Sequence, residues 1–356
     1  MIYWLHFLIV IILYIFFGRN DQTKKLFISS SFIYSVFVFG QRWMTGTDFP
    51  NYLKYYILDF TRNEWGYFTL QSFVRDNNLY FGIIIFAIFL LTQINFYRFF
   101  MKFRYDTMLI FIFLISELFF AQMSQIRQYV AISFFINSFY YTYENKKLKS
   151  VINLFLAYSF HTSALFFVPF LLIKLPFNQK KLGLILSSFF ILPFIDVRLV
   201  LKLPFFSRYS HYVGSYFDVP LSINHAIKYY TVLAIIVLFT FWAYRFKNNN
   251  YNRMIYNGIF YYMLIYGFSF HFAPLFRVAT FLQVFEIVFL VTFAYNLRNV
   301  PEYISKKVVA FLFIGIFSLS ALVDAYNVAD YGFRLMRSHD NRTYDELMTE
   351  ANNYTN

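Results

Sequence analysis

Twelve apolar runs follow one another along almost the whole chain, with Lys and Arg gathered in the gaps between them. A bilayer core takes about 20 apolar helical residues, or fewer where a helix is short or broken. The succession therefore predicts an all-α, polytopic membrane protein with about 10–12 transmembrane helices or half-helices. The runs are 2–18, 26–40, 79–97, 107–122, 128–143, 150–160, 163–173, 182–195, 226–244, 254–270, 276–297 and 308–327. Only 14% of the 356 residues are charged, about half the share in a soluble domain. The 53 Phe and 32 Tyr exceed what a water-soluble core can pack, so lipid is expected to cover many of them. One polytopic domain is expected over 1–330, followed by a polar tail over 331–356. The first run lacks a basic leader and a small-residue cleavage site, and reads as a retained span.

The basic clusters set an orientation. Arg19, Lys24 and Lys25 follow the first run, and Arg98, Lys102 and Arg104 the third. Lys146, Lys147 and Lys149 follow the fifth, Arg245, Lys247 and Arg253 the ninth, and Arg298, Lys306 and Lys307 the eleventh. Two spans separate successive clusters, so one assignment puts them all in the cytoplasm and both termini outside. The exception is 150–173. As one span it would invert every later loop; as two half-spans meeting near His161 it restores the pattern. The segment SFHTS supplies a polar cluster at that break. Irregular backbone at membrane depth is tolerated only inside protein or beside a watery cavity.

The outer face then holds 41–78, the turn at Arg127, the break at His161, 196–225, 271–277 and the tail. A loop as long as 41–78 is usually functional, and its segments 49–60 and 64–74 are amphipathic, as if lying along the membrane surface. Within it, Gly46 permits a tight turn before Asp48, and Pro50 suits the first turn of a helix. Asp48 is either a carboxylate presented at the membrane surface or an N-cap. Arg127, with Gln125 and Gln128 beside it, sits between two apolar runs with no acidic neighbour in sequence. A guanidinium there needs a partner, and its planar fork suits phosphate better than simple snorkelling explains the glutamines. His161 is either a hydrogen-bonded structural residue or a catalyst. The segment HFAPLFR places His271, Pro274 and Arg277 in another outer turn. Glu64, in NEWGYF, pairs most simply with Arg62 on local grounds.

Arg42, Arg127 and Arg277 thus fall on one side with Asp48, Glu64 and His161. Arginines converging with a carboxylate and an imidazole suggest an anionic, diphosphate-bearing, lipid-linked substrate beside a general base. The formal charge of +13 does not point to nucleic acid, because it lies in the loops of a membrane protein. The chain has no cysteine, so thiol chemistry and disulfides are excluded. The six His show no metal-ligand spacing, and no cofactor is expected.

The order TGTDFPNYLKYY, NEWGYFTLQSFV, QIRQYVAISFF and LAYSFHTSALFFVPF resembles the EpsG family, best over the first half of the chain. That resemblance implies a Wzy-type polymerase of exopolysaccharide, capsule or O-antigen, with a helical architecture like that of GT-C glycosyltransferases. It implies a bacterial inner-membrane enzyme, independent of metal, working on the outer face. The donor would be a glycan on undecaprenyl diphosphate, the acceptor the terminal sugar of a lipid-linked repeat unit. A chain-length regulator and a flippase would be its partners. On that reading Arg127, Arg277 and Arg42 hold the diphosphate. Asp48 or His161 takes the acceptor proton, with Asp48 preferred and His161 orienting substrate. Gln128 and Glu64 contact substrate, and Tyr52, Trp65 and Tyr67 stack on sugars. A flippase of the same lipid, an O-antigen ligase and a membrane O-acyltransferase are the alternatives.

Overall fold

The computed structural model describes residues 2–60, 64–175, 179–198, 212–215, 218–242, 250–296, 332–340 and 342–355. Regular structure there is helical apart from one two-stranded antiparallel pair, as expected for an all-α chain. In chain order the helices are α1 (Ile2–Leu13), α2 (Lys24–Gly40), α3 (Phe49–Ile57), α4 (Trp65–Asp76) and α5 (Gly82–Phe100). Next come α6 (Asp106–Ile115), α7 (Glu117–Ala121), α8 (Ile126–Tyr143), α9 (Lys147–Phe160) and α10 (Val168–Leu172). They continue with α11 (Gln179–Phe189), α12 (Ile223–Trp242), α13 (Asn250–Phe268), α14 (Ala273–Ala279), α15 (Val284–Asn296) and α16 (Tyr344–Thr355). The strands are β1 (Arg42–Trp43) and β2 (Gly332–Phe333).

The described residues divide into two compact units. Those of Met1–Tyr141, Lys146–Leu165 and Phe311–Asn356 make the first; those of Thr142–Asn145 and Phe166–Ala310 make the second. In the first unit, apolar helices pack through polar contacts. Gln93 donates to Gln122 at 2.8 Å, Asn95 to Ser133 at 3.2 Å and Tyr97 to Ser31 at 3.1 Å, all buried. Hydrogen bonds of this kind join helices where no aqueous phase drives them together. Outward, α1 and the π-helical turn that continues it present Trp4, Leu8, Ile12 and Phe16, an i, i+4 ridge of bare hydrocarbon.

Several expected spans are interrupted. Among the described residues only α5 is by itself long and apolar enough to cross a bilayer; α14 with the first part of α15 would do so together, but they bend by 59°. The run expected to be continuous over 107–122 breaks at Ser116, whose extended backbone (ψ 160°) separates α6 from α7. The Ser116 amide and hydroxyl both donate to the Phe113 carbonyl, at 3.1 and 2.7 Å, and close the last turn of α6. The run 276–297 breaks at the turn Thr280–Gln283, where Thr280 Oγ1 donates to the Arg277 carbonyl at 2.7 Å. The run 308–327 lies outside the described residues.

The break expected at His161 is present. α9 ends at Phe160, His161 is extended (φ −154°, ψ 118°), and a 3₁₀ turn takes over from Thr162. α8 and α9 therefore run between two chemically different ends of the first unit. At one end Lys24 meets Asp106 at 3.9 Å, and Lys102 donates to Asn137 at 2.6 Å. Lys102 and Lys149 lie over the Tyr141 ring there, at 4.3 and 5.8 Å. The other end, about 27 Å away along α8, carries Arg127 and His161.

In the second unit, α13 and α15 approach closely at Gly258, where an added Cβ would sit 2.2 Å from the Phe285 ring. Lys228 and Glu286 form a buried ion pair at 3.7 Å between α12 and α15. Asp196 receives Arg198 through Nε and Nη2, at 2.9 and 2.7 Å.

Candidate active site

Glu64 is the hub of the site. It occupies the N-cap of α4, where its carbonyl accepts the Tyr67 and Phe68 amides at 3.1 and 3.2 Å. An N-cap carboxylate ordinarily turns back to its own helix; this one makes no capping bond. Its Oε2 instead takes the Arg127 guanidinium and its Oε1 takes His161 Nδ1 at 2.6 Å. The Thr162 backbone N–H also donates to the carboxylate.

Local sequence brings these groups together. Gly66 lets α4 lie against the end of α9, because a Cβ there would fall 2.6 Å from Ser159 Oγ and 3.0 Å from its carbonyl. Glu64, two residues earlier, is thereby delivered to the point where α9 releases His161. Gly46 does the same for the preceding loop. It holds φ +92°, and a Cβ would fall 2.6 Å from the Met123 carbonyl, so only glycine lets the loop lie on the turn before α8. The Thr47 amide donates to Ser124 Oγ at 3.2 Å and seals that contact.

The Arg127 side chain is 13% exposed and rests in an aromatic box. Its guanidinium lies 5.2 Å from the Tyr52 ring, 5.6 Å from Tyr67 and 5.9 Å from Phe68. Tyr52 hydrogen-bonds it as well. A positive charge in the first turn of α8 opposes the helix dipole, and the Glu64 carboxylate offsets that cost. Within this box, Arg127 Nε and Tyr67 Oη are buried without a hydrogen-bond partner among the described residues. A bound ligand can satisfy both.

Electrostatics follow the geometry. Burial acts to raise the Glu64 pKa, but the His161 hydrogen bond and the Arg127 charge outweigh it and hold the carboxyl below the usual 4.5. Burial pushes Tyr52 up to about 12 against the pull of Arg127, so its hydroxyl stays neutral at physiological pH and accepts from the guanidinium. The Glu64 contact engages His161 Nδ1 and fixes the orientation of the imidazole.

The other expected site residues are placed as follows. Asp48 occupies the N-cap of α3, where its carbonyl accepts the Tyr52 amide at 3.1 Å, but its side chain makes no capping bond. Its charge is close enough to act on Tyr52. Gln128 is buried in the first turn of α8. Arg42 is 2% exposed and donates to the carbonyls of Phe39 at 2.9 Å and Met123 at 3.4 Å, with its guanidinium 5.3 Å from the Phe89 ring. It ties α2 to the turn before α8. Arg277 belongs to the second unit, exposed at the end of α14. Arg62, the local partner expected for Glu64, lies outside the described residues. Sequence reading left Phe68 out of the site and took Tyr67 only as a sugar platform. The signal for both was the NEWGYF helix start, whose third and fourth turn residues face back toward its N-cap.

Apolar helices with bare outer faces, beside a part-buried Arg–Glu–His cluster, suggest a membrane protein with a polar site. Its family follows from the sequence: the EpsG family model matches residues 25–337, nearly the whole chain, and the chain belongs to that family. Membership supports a role in polysaccharide biosynthesis. No curated protein and no solved structure matches significantly.

Proposed function

We propose that this chain is a Wzy-type polysaccharide polymerase of the bacterial cytoplasmic membrane, crossing it many times with its site on the periplasmic or exterior face. Its donor is a growing glycan on undecaprenyl diphosphate. Its acceptor is the terminal sugar of a lipid-linked repeat unit. The observation that carries the reading is the shared carboxylate of Glu64, which sets a guanidinium and an imidazole side by side in a chain of this family.

The chemistry divides between them. The acceptor hydroxyl attacks the anomeric carbon and gives its proton to His161 Nε2 as the new C–O bond forms. The bond to the lipid diphosphate breaks, and the diphosphate leaves with the electron pair. Arg127 stabilises that charge in a site sheltered from water, where a fixed cation acts most strongly. Tyr52 steadies the guanidinium and Glu64 fixes the imidazole. The Glu64–His161 hydrogen bond favours His161 over Asp48 as the base, since it orients the imidazole, whereas the Asp48 carboxylate makes no capping bond at the start of α3. Asp48 then contributes negative charge near Tyr52 at the loop surface.

Segregation of charge supports the orientation. Lys24, Lys102 and Lys149 gather at the end of the first unit opposite to Arg127 and His161, which is the cytoplasmic end by the positive-inside rule. The interrupted helices fit a protein-lined site at membrane depth.

The test is the surface polysaccharide of a host lacking this gene. A null strain showing single repeat units, lengthened to a ladder by the wild-type chain, supports a polymerase. Lipid-linked units accumulating on the cytoplasmic side would instead mean a flippase. Ladders that form but stay on the lipid carrier would mean a ligase.

A further inference from the structure

The polar tail is built into the layer that carries the site. β2 pairs antiparallel with β1, Phe333 opposite Arg42 and Gly332 opposite Trp43. The pairing extends beyond Arg42 and Phe333: the Arg334 amide donates to the Gln41 carbonyl at 3.1 Å, and the Met336 amide to Gln41 Oε1 at 2.8 Å. The Tyr80 amide donates to the Ser338 carbonyl at 3.0 Å, and His339 bridges Leu79. The tail thus holds both ends of the loop that begins at Gln41 and closes at Tyr80.

Glu350 fastens it. Its Oε1 accepts Trp43 Nε1 at 2.9 Å and Arg334 Nη2 at 2.5 Å, and its Oε2 accepts Arg342 Nη1 at 2.5 Å. Both guanidiniums also lie over the Trp43 ring, at 4.4 and 4.7 Å. Cation–π contacts with a buried indole are the strongest of their kind. The helix that carries Glu350 starts at a reciprocal cap: the Thr343 amide donates to Glu346 Oε2 at 2.8 Å and the Glu346 amide to Thr343 Oγ1 at 3.3 Å. α16 then packs on α3, burying Leu347 and Ala351 and setting Tyr344 against Tyr56, ring centroids 6.2 Å apart.

α3 is the helix that presents Asp48 and Tyr52. We infer that residues 332–340 and 342–355 form a strap that positions the site, with Glu350 and Trp43 as positioning residues acting through α3 and Tyr52 on Arg127. The inference rests on the reading of Arg127 as the donor-binding group. Gly332 is its weak point: an added Cβ would sit 2.2 Å from the Trp43 carbonyl, so Gly332→Val forces the strands apart.

The chain has no cysteine, so the full-length protein with Ala351→Cys carries one thiol, on the buried face of α16. In detergent, a water-soluble maleimide should label it at least about tenfold more slowly in the wild-type background than with Gly332→Val, as local opening predicts. Glu350→Arg, which sets a third guanidinium against Arg334 and Arg342, is a second route to the undocked strap and should label equally fast. Equal labelling in all three backgrounds would show that the strap does not dock. The same membranes, given a lipid-linked repeat unit, report function. Gly332→Val and Tyr52→Phe should each lower the initial rate about tenfold, and together no further, because both act on one contact. A wild-type rate with a fast-labelled thiol, or losses that multiply to about a hundredfold, would overturn the positioning role. Failure of the polymerase reading is separate: it shows as no polymer from the wild-type chain, while labelling still decides docking.

Discussion

Two glutamates in the first unit do the same thing with different results. Glu64 splits its oxygens between the side chains of Arg127 and His161, and Glu350 divides its own among those of Trp43, Arg334 and Arg342. Glu350 is 29% exposed in its side chain, and its ionic partners, Arg334 and Arg342, are permanently charged. Glu64 is 9% exposed and joins a permanent cation to an imidazole. The first arrangement can only hold two segments together. The second can also pass a proton, and burial strengthens its electrostatics. The site is therefore marked by which partners a carboxylate bridges, more than by the number of charges around it.

The sharpest way to break that comparison is to neutralise each glutamate in place. Glu64→Gln leaves Arg127 uncompensated and His161 without its orienting carboxylate. Initial polymerisation rates with a lipid-linked repeat unit should fall about a thousandfold or more, with protein levels in the membrane maintained. Asp48→Asn should cost about tenfold, through its field at Tyr52 alone. A loss as deep as that of Glu64→Gln would make Asp48 the base instead, and full polymer would leave it no role at all.

Tyr52→Phe removes one hydrogen bond to a charged group while keeping the ring over Arg127, and should also cost about tenfold or slightly less. Glu350→Gln keeps an oxygen for Trp43 Nε1 and loses only the half-exposed ionic contacts; the rate should change less than about threefold, as for other exposed pairs. The pH dependence of stability sharpens the contrast further. Because the Glu64 pKa is held below 4.5, its stabilising contribution is fully present above that value and is lost only as pH falls through the depressed folded value. Thermal unfolding of wild type and Glu64→Gln, followed from neutral pH downward, should converge only in that acid range.

What the sequence revealed depended on distance along the chain. Local signals were readable. Gly46, Asp48 and Pro50 announced the turn and the start of α3, and SFHTS announced the break at His161. The orientation argument put 41–78, Arg127, His161 and the tail on one face together with 196–225 and 271–277; the described residues of the first group fall in the first unit and those of the last two segments in the second. Long-range pairing was not readable. Glu64 reaches Arg127 across 63 positions and His161 across 97, so the local rule offered Arg62. The TYDE start of α16 carries a capping signature, yet nothing local says that Glu350 meets Trp43 across 307 positions. The breaks at Ser116 and Thr280 were hidden for another reason. A single hydroxyl in an apolar run barely changes its hydropathy, and the same bond to a carbonyl one turn back occurs inside unbroken helices, at Ser31, Ser35 and Ser133, so it does not announce a break.

The central claim is that Arg127, held by Glu64 beside His161, takes the charge of the departing lipid diphosphate. Its most direct test is single-turnover transfer in membranes from a strain lacking this gene, comparing wild type with Arg127→Ala at matched expression. The claim predicts that wild type elongates a lipid-linked repeat unit and releases undecaprenyl diphosphate. Arg127→Ala should slow both steps by at least about a hundredfold. Elongation at the wild-type rate by the Arg127→Ala protein would contradict it.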